Sequence, residues 1–295
     1  MQRLFIVSAI VAGLFGAGWV LSAGRPLPAA AVAGLSGDPA AGEAVFHAAG
    51  CASCHMAPEA EGPARRVLSG GQRFPSPFGT FVAPNISPDP DQGIGGWDLR
   101  AFASALKRGV RPDGAHYFPA FPYTTYTRMT LQDVADLKAF MDLLPPDATP
   151  SQPHEVAFPF NIRRSLFGWK LLFLDADWVL DAGTNPSLQR GRYLVEAMGH
   201  CAECHTSRNI LGGIDKARWM AGAPNPAGKG RIPNITPGAL DWSEADIAYY
   251  LETGFTPDFD SVGGHMAFVV ENTALLAPED RAAIAAYLKA LPPLK

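Results

Sequence analysis

The pattern Cys-x-x-Cys-His occurs twice in this 295-residue chain, at residues 51–55 and 201–205, and the two copies contain all four cysteines. Two thiols at this spacing bond to the two vinyl groups on one edge of a porphyrin, and the next histidine offers its imidazole to the iron. We therefore expect two covalently bound haem c groups. Their attachment residues are Cys51 and Cys54 in the first copy and Cys201 and Cys204 in the second, with His55 and His205 as the proximal iron ligands.

Cysteine pairs with this spacing also occur in structural zinc sites and in redox-active dithiols. Both alternatives leave the adjacent histidine of each copy without a function. Haem attachment explains all three residue types in both copies, so we favour it.

The first 35 residues have the features of an export segment. An apolar run occupies residues 4–23 behind the basic Arg3, and the small residues 29–33 suit cleavage by signal peptidase. The run exceeds the usual signal core of about 7–15 residues and reaches the roughly 20 residues that span a bilayer. We expect residues 1–35 to be a signal peptide or an N-terminal membrane anchor. In both cases the rest of the chain is periplasmic, either soluble or anchored to the inner membrane.

Besides the cysteine motifs, four short segments recur in the same order in the two halves of the chain. The pairs are 42–46 with 191–195, 84–88 with 233–237, Trp97 with Trp242, and 145–146 with 292–293. Four ordered matches indicate two tandem copies of one domain. We expect an N-terminal domain over residues 36–146 and a C-terminal domain over residues 187–295.

Helix signals occur in both copies. Thr130 with Asp133, and Ser243 with Asp246, are N-terminal capping patterns, and Pro278 suits the first turn of a helix. We find no convincing strand alternation and predict an all-α fold. The intervening residues 147–186 are too long for a simple connection and form a structured linker. We expect their apolar stretch, residues 166–173, either to pack against both domains or to form a docking surface for a partner or a membrane.

The sixth iron ligand decides the redox behaviour of a haem, because methionine raises the reduction potential and an open position admits substrates. In the C-terminal domain we expect Met266, with its neighbour His265 as the alternative ligand. Met266 is otherwise a gap-filling core residue.

The N-terminal domain offers Met129, which lies just before the last helix, and we expect this residue to be the ligand. His116 is the second candidate. Met129 also fits a purely structural role, since a hydrophobic residue commonly precedes a helix cap.

Residues 84–88 and 93–97, the segment 121–126 and the segment 199–206 resemble the class I dihaem and multihaem cytochromes c. These are related to the cytochrome c subunit of membrane-bound alcohol and gluconate dehydrogenases. The resemblance covers residues 37–293 and implies two tandem class I cytochrome c domains that relay electrons. Those subunits carry a third haem domain and a membrane helix beyond this region. Their loop ligand is commonly a methionine before Pro-Tyr, where this sequence has Phe121.

The net charge of −4 and the absence of a basic block argue against a nucleic-acid partner. We expect redox proteins as partners: a dehydrogenase as donor and a cytochrome or oxidase as acceptor. The leading hypothesis is a periplasmic carrier that relays single electrons between them. The alternative is a dihaem redox enzyme such as a peroxidase, which needs one haem with a displaceable ligand.

Overall fold

The computed structural model describes residues 5–6, 13, 16–226, 228 and 230–295. Most of the predicted export segment before residue 16 lies outside the described residues. Within the part of the chain that the structure describes, no helix combines the length and apolar character needed to cross a bilayer.

Helices dominate both halves of the chain. The N-terminal half contains α1 (Pro39–Ala48), α2 (Cys51–His55), α3 (Leu99–Arg108), α4 (Tyr123–Tyr126) and α5 (Leu131–Met141). One helix, α6 (Leu166–Phe173), lies between the halves. The C-terminal half contains α7 (Pro186–Tyr193), α8 (Ala202–His205), α9 (Glu244–Thr253), α10 (His265–Thr273) and α11 (Pro278–Ala290). A π-helical segment, Leu194–Met198, extends α7 towards the second cysteine motif.

The predicted helix starts agree with the structure. The side chain of Thr130 accepts a hydrogen bond from the backbone N–H of Asp133 at the start of α5. Ser243 and Asp246 form a reciprocal capping box at the start of α9, and Gly254 ends that helix in the left-handed conformation. Pro278 is the first residue of α11.

The prediction of an all-α fold is wrong in one respect, because the chain also contains short strands. β1 (Arg73–Ser76), β2 (Gly79–Val82) and β3 (Glu155–Val156) form an antiparallel sheet, and β4 (Ala223–Pro224) pairs with β5 (Arg231–Ile232). Strands of two to four residues are too short to show the alternation by which a strand is recognised in a sequence. Strand β3 belongs to the linker, so the three-stranded sheet joins the linker to the N-terminal half.

The first and last helices of each copy cross at a glycine. A Cβ atom on Gly42 of α1 would lie 2.0 Å from the carbonyl oxygen of Asp136 in α5. A Cβ atom on Gly191 of α7 would lie 2.0 Å from the carbonyl oxygen of Ala283 in α11. Since any side chain would clash with backbone there, glycine permits the close helix crossing in both copies.

Each half contributes one helix that packs near the cysteine motif of the other half. Helix α4, which precedes the last helix of the first copy, packs against the π-helical segment before the second cysteine motif. Helix α10, which precedes the last helix of the second copy, packs against α1 and α2 of the first. Asn272 of α10 donates to the Ser53 hydroxyl at 2.9 Å, and Thr124 of α4 donates to Glu203 at 3.2 Å. Each cysteine motif is therefore covered in part by the other copy.

The linker contacts both halves through adjacent residues. The Lys170 ammonium donates to the carbonyl oxygens of Arg108 and Gly109 at 2.6 and 2.7 Å in the N-terminal half. The Trp169 indole donates to the carbonyl of Leu211 at 2.8 Å in the C-terminal half. These contacts agree with the interpretation of the linker as a strap that packs on both domains. Leu171 and Leu172 are exposed on its outer face.

Candidate haem sites

The two histidines of the motifs make the same hydrogen bond. Nδ1 of His55 lies 2.9 Å from the carbonyl oxygen of Pro84, and Nδ1 of His205 lies 2.8 Å from that of Pro233. A carbonyl only accepts, so Nδ1 carries the proton and Nε2 keeps a free lone pair for iron. Desolvation lowers the pKa of both imidazoles, which keeps them neutral and able to ligate a metal.

In each copy, a glycine fixes the backbone of the cysteine motif relative to the loop that carries the proline carbonyl. The N–H of Gly70 donates to the carbonyl of His55, and the N–H of Gly222 donates to the carbonyl of His205, both at 2.7 Å. Both glycines have positive φ, and a Cβ on Gly70 would lie 2.5 Å from the carbonyl oxygen of Ala83. The close approach of loop and motif helix therefore requires glycine at this position.

The recurring Pro-Asn-Ile-Ser/Thr-Pro segments act as clamps behind the histidines. Buried Asn85 donates to the carbonyls of Asp147 and Thr149 at 2.8 Å and accepts from the N–H of Ser87. Asn234 makes the equivalent bonds, donating to the carbonyl of Leu294 and accepting from the N–H of Thr236. The clamp ties the loop that holds the proximal histidine to the chain that leaves the last helix.

The four cysteines lie in the described region, and no disulfide joins any two of them, so both pairs are available for attachment. Burial raises the pKa of Cys51 and Cys201 to about 12, and burial and then the Cys204 thiol raise the pKa of Cys54 to about 11. Both motifs also contact the opposite half: the Ser53 hydroxyl accepts from Asn272, and the Glu203 carboxylate accepts from Thr124. The two motifs therefore lie where the halves contact.

A cavity of about 580 Å³ opens beside the first motif. Its walls include Pro84, which holds His55, together with Ile86, Ile94, Trp97, Tyr117 and Phe118. This volume falls within the roughly 300–1,000 Å³ of cofactor sites, and the walls combine apolar side chains with polar and charged ones, including Arg111 and Arg163. The cavity thus adjoins the segment that orients His55, and its size and mixed lining suit part of a haem attached at the first motif.

Of the two expected distal ligands of the N-terminal haem, the structure places His116 in an unfavourable position. Its Nε2 lies 3.0 Å from the carbonyl oxygen of Ser22 and its Nδ1 lies 3.0 Å from the Lys170 ammonium, so both ring nitrogens have partners. Met129 is fully buried in the core, and the Lys107 ammonium donates to its carbonyl. Phe121, which replaces the methionine of the resembling family, packs edge-on against Tyr117 and Tyr126.

In the C-terminal half, Met266 is the second residue of α10 and packs half-buried against the core. Its neighbour His265 is exposed and lies against the rings of Phe74 and Phe268. The structure thus puts the expected ligand, rather than the alternative, on the inner side of the helix start.

Three groups at these sites carry no recognisable signal in the sequence. His154 and Arg163 belong to the linker yet line the cavity of the N-terminal half. His200 lies at the interface, where its Nε2 is 3.1 Å from the carbonyl oxygen of Ala49. Contacts between segments that are distant in the chain leave no local pattern in the sequence.

Comparison with known proteins supports the same assignment. Residues 39–145 match the family model of cytochrome c. The chain is 60% identical over 263 residues to a dihaem cytochrome c-type protein of Cereibacter sphaeroides, with 89% of each chain covered.

Two further relatives are subunits of dehydrogenases. The chain is 39% identical over 254 residues to the fructose dehydrogenase cytochrome subunit of Gluconobacter japonicus. It is 36% identical over 258 residues to the cytochrome c subunit of the quinone-type alcohol dehydrogenase of Komagataeibacter europaeus. Both alignments cover 83% of this chain but 51% and 54% of the respective relatives. With the duplicated motif and its proximal geometry, these similarities show that the chain belongs to the dihaem c-type cytochromes and carries two covalently bound haem c groups.

Proposed function

We propose that the protein is a periplasmic electron carrier that relays single electrons from a dehydrogenase to a downstream cytochrome or oxidase. The observation that carries this proposal is that both cysteine motifs lie at the interface, where Ser53 of the first motif accepts from Asn272 and Glu203 of the second accepts from Thr124. Haem groups attached through these cysteines would both lie on the side of each half that faces the other. Haem c supplies the one-electron chemistry of its iron when bound.

The residues of the chain hold and tune the two centres. Cys51, Cys54 and His55 serve the first, and Cys201, Cys204 and His205 serve the second. The carbonyls of Pro84 and Pro233 keep the proton of each proximal imidazole on Nδ1 and so raise the basicity of Nε2 as a ligand. Met266 is the proposed distal ligand of the second centre and Met129 that of the first.

We assign residues 36–146 and 187–295 as the two haem domains and residues 147–186 as the strap between them. Residues 1–35 are proposed as the export segment, as a cleaved signal peptide or an uncleaved anchor. Export suits covalent haem attachment outside the cytoplasm. The relatives named as dehydrogenase subunits support a dehydrogenase as the electron donor.

A second candidate function rests on the N-terminal centre. Phe121 occupies the family position of the methionine, and both nitrogens of His116 are engaged elsewhere. If Met129 does not ligate iron, this centre has a position open to small molecules such as peroxide, as in a dihaem peroxidase.

A spectroelectrochemical titration combined with magnetic circular dichroism separates the two functions. The carrier predicts two reduction potentials, methionine signals from both centres and no carbon monoxide binding by the reduced protein. Rapid peroxide turnover, or carbon monoxide binding at one centre, would support the peroxidase and overturn the carrier.

A further inference from the structure

We infer that Arg163 of the strap and Arg111 of the N-terminal domain together bind the haem propionates of the N-terminal centre, so that the strap completes that haem site. The inference rests on the proposed attachment of haem at His55. It assigns a cofactor-binding function to a segment outside both predicted haem domains.

Both guanidinium groups line the cavity beside the first motif. Arg163 is fixed there from two sides: its Nη1 donates to the carbonyl of His116 at 2.9 Å, and its guanidinium lies 4.3 Å from the centre of the Phe118 ring. One donor nitrogen and the cationic face are thus used for positioning. The remaining donors of the fork are available to a carboxylate, which arginine binds in bidentate fashion.

Arg163, Arg111 and Asp113 form a cluster with an excess of positive charge. Arg111 pairs with Asp113 at 3.1 Å, so two guanidinium groups face one carboxylate. Two further titratable groups lie in the cavity wall. His154 accepts from the N–H of Val82 through Nδ1, and burial lowers its pKa. Burial raises the pKa of Tyr117, which keeps its phenol neutral. Burial and the charge of Arg111 lower the pKa of Arg163. Two propionates supply the negative charge that this arrangement lacks.

The loop of the C-terminal domain that corresponds to the Arg111 loop contains no arginine. The loop after α3 is closed by a bridge between Val110 and His116, and the loop after α9 by a bridge between Phe255 and Ser261. When the two loops are aligned on these bridges, Thr256 corresponds to Arg111. The loop after α9 also contains Asp258 and Asp260. The arginine pair therefore acts on one centre and distinguishes it electrostatically from the other.

The test is the reduction potential of each centre in Arg163→Gln, measured on the full-length holoprotein. A cation near the haem favours the reduced state, which carries one positive charge less. We expect one of the two reduction equilibrium constants to fall about tenfold, a shift of about 59 mV for one electron, and the other to stay unchanged. Arg111→Gln should shift the same centre, and Arg163→Lys should keep its potential near the original.

Arg164→Gln is the matched control, because this neighbouring arginine lies over the Trp19 ring and donates to Ser22, away from the cavity. Unchanged potentials in Arg163→Gln, or an equal shift in Arg164→Gln, overturn the inference. Loss of a haem from Arg163→Gln supports it if Arg163→Lys keeps both haems and overturns it if Arg163→Lys loses one too. An unmodified protein with fewer than two haems contradicts the proposed function instead.

Discussion

At the scale of single residues, the orientation of the two motif histidines, which we propose as the proximal ligands, depends on a few hydrogen bonds. Asn85 and Asn234 do not touch the histidines. They hold the loops whose proline carbonyls accept from the histidine Nδ1 atoms. The recurrence of Pro-Asn-Ile-Ser/Thr-Pro in the sequence reflects this clamp.

Asn85→Ala should lower the free energy of unfolding. The change leaves the carbonyl of Thr149 and the N–H of Ser87 without their partner and removes one of the two donors to the carbonyl of Asp147. A buried unpaired group costs about 1–3 kcal/mol. Denaturant unfolding followed by haem absorbance measures the effect. Asp91→Ala, an exposed change on the same loop and outside the cavity wall, is the control. Equal midpoints for the two variants would show that the clamp does not contribute to stability.

Met266→Ala should remove the methionine–iron charge-transfer absorption of one haem in the oxidised protein and allow carbon monoxide to bind that haem when reduced. The reason is that the thioether sulfur is the proposed sixth ligand, and alanine cannot replace it. Met141→Leu, at a buried position in α5, should leave the spectrum unchanged. A spectrum of Met266→Ala identical to that of the original protein would exclude Met266 as a ligand.

At the scale of helices, the architecture depends on close crossings and on the exchange of α4 and α10 between the halves. The crossings at Gly42 and Gly191 place the first helix of each copy, which leads into the cysteine motif, against the last helix. The exchange places a helix of each half on the motif of the other.

Gly42→Ala should destabilise the protein by about 1–3 kcal/mol, because its methyl group would overlap the carbonyl of Asp136. Gly168→Ala is the matched comparison, since a Cβ at that helical position meets nothing within 4 Å. The second change should stabilise by about 0.5–1 kcal/mol through the better helix propensity of alanine. Thermal unfolding measures whether each variant is less or more stable than the original protein. A neutral Gly42→Ala variant would contradict the crossing.

Ser53→Ala and Asn272→Ala should be energetically coupled, because the Asn272 amide donates to the Ser53 hydroxyl across the interface. A double-mutant cycle on denaturant unfolding should give a coupling energy of about 0.5–1.5 kcal/mol, as for an ordinary hydrogen bond. Strict additivity of the two changes would indicate that α10 does not rest on the first motif in solution.

At the scale of the whole molecule, the sequence predicts the features that repeat and misses those that depend on contacts between distant segments. The two motifs, the caps of α5 and α9 and the start of α11 are recognisable because their residues lie within a few positions of one another. The sheet strand β3, the placement of Arg163 in the cavity and the contact of Asn272 with Ser53 join residues far apart in the chain. A single sequence holds no local pattern for such pairs.

The central claim is that each domain holds one haem c through its own cysteine pair, and the mass of the denatured protein tests it most directly. The account predicts a polypeptide that keeps the mass of two haems after denaturation and solvent extraction. The Cys51→Ala/Cys54→Ala variant should keep one, on the peptide that contains residues 201–205. A denatured chain with no haem or one haem, or a double variant that still carries two, would contradict the account.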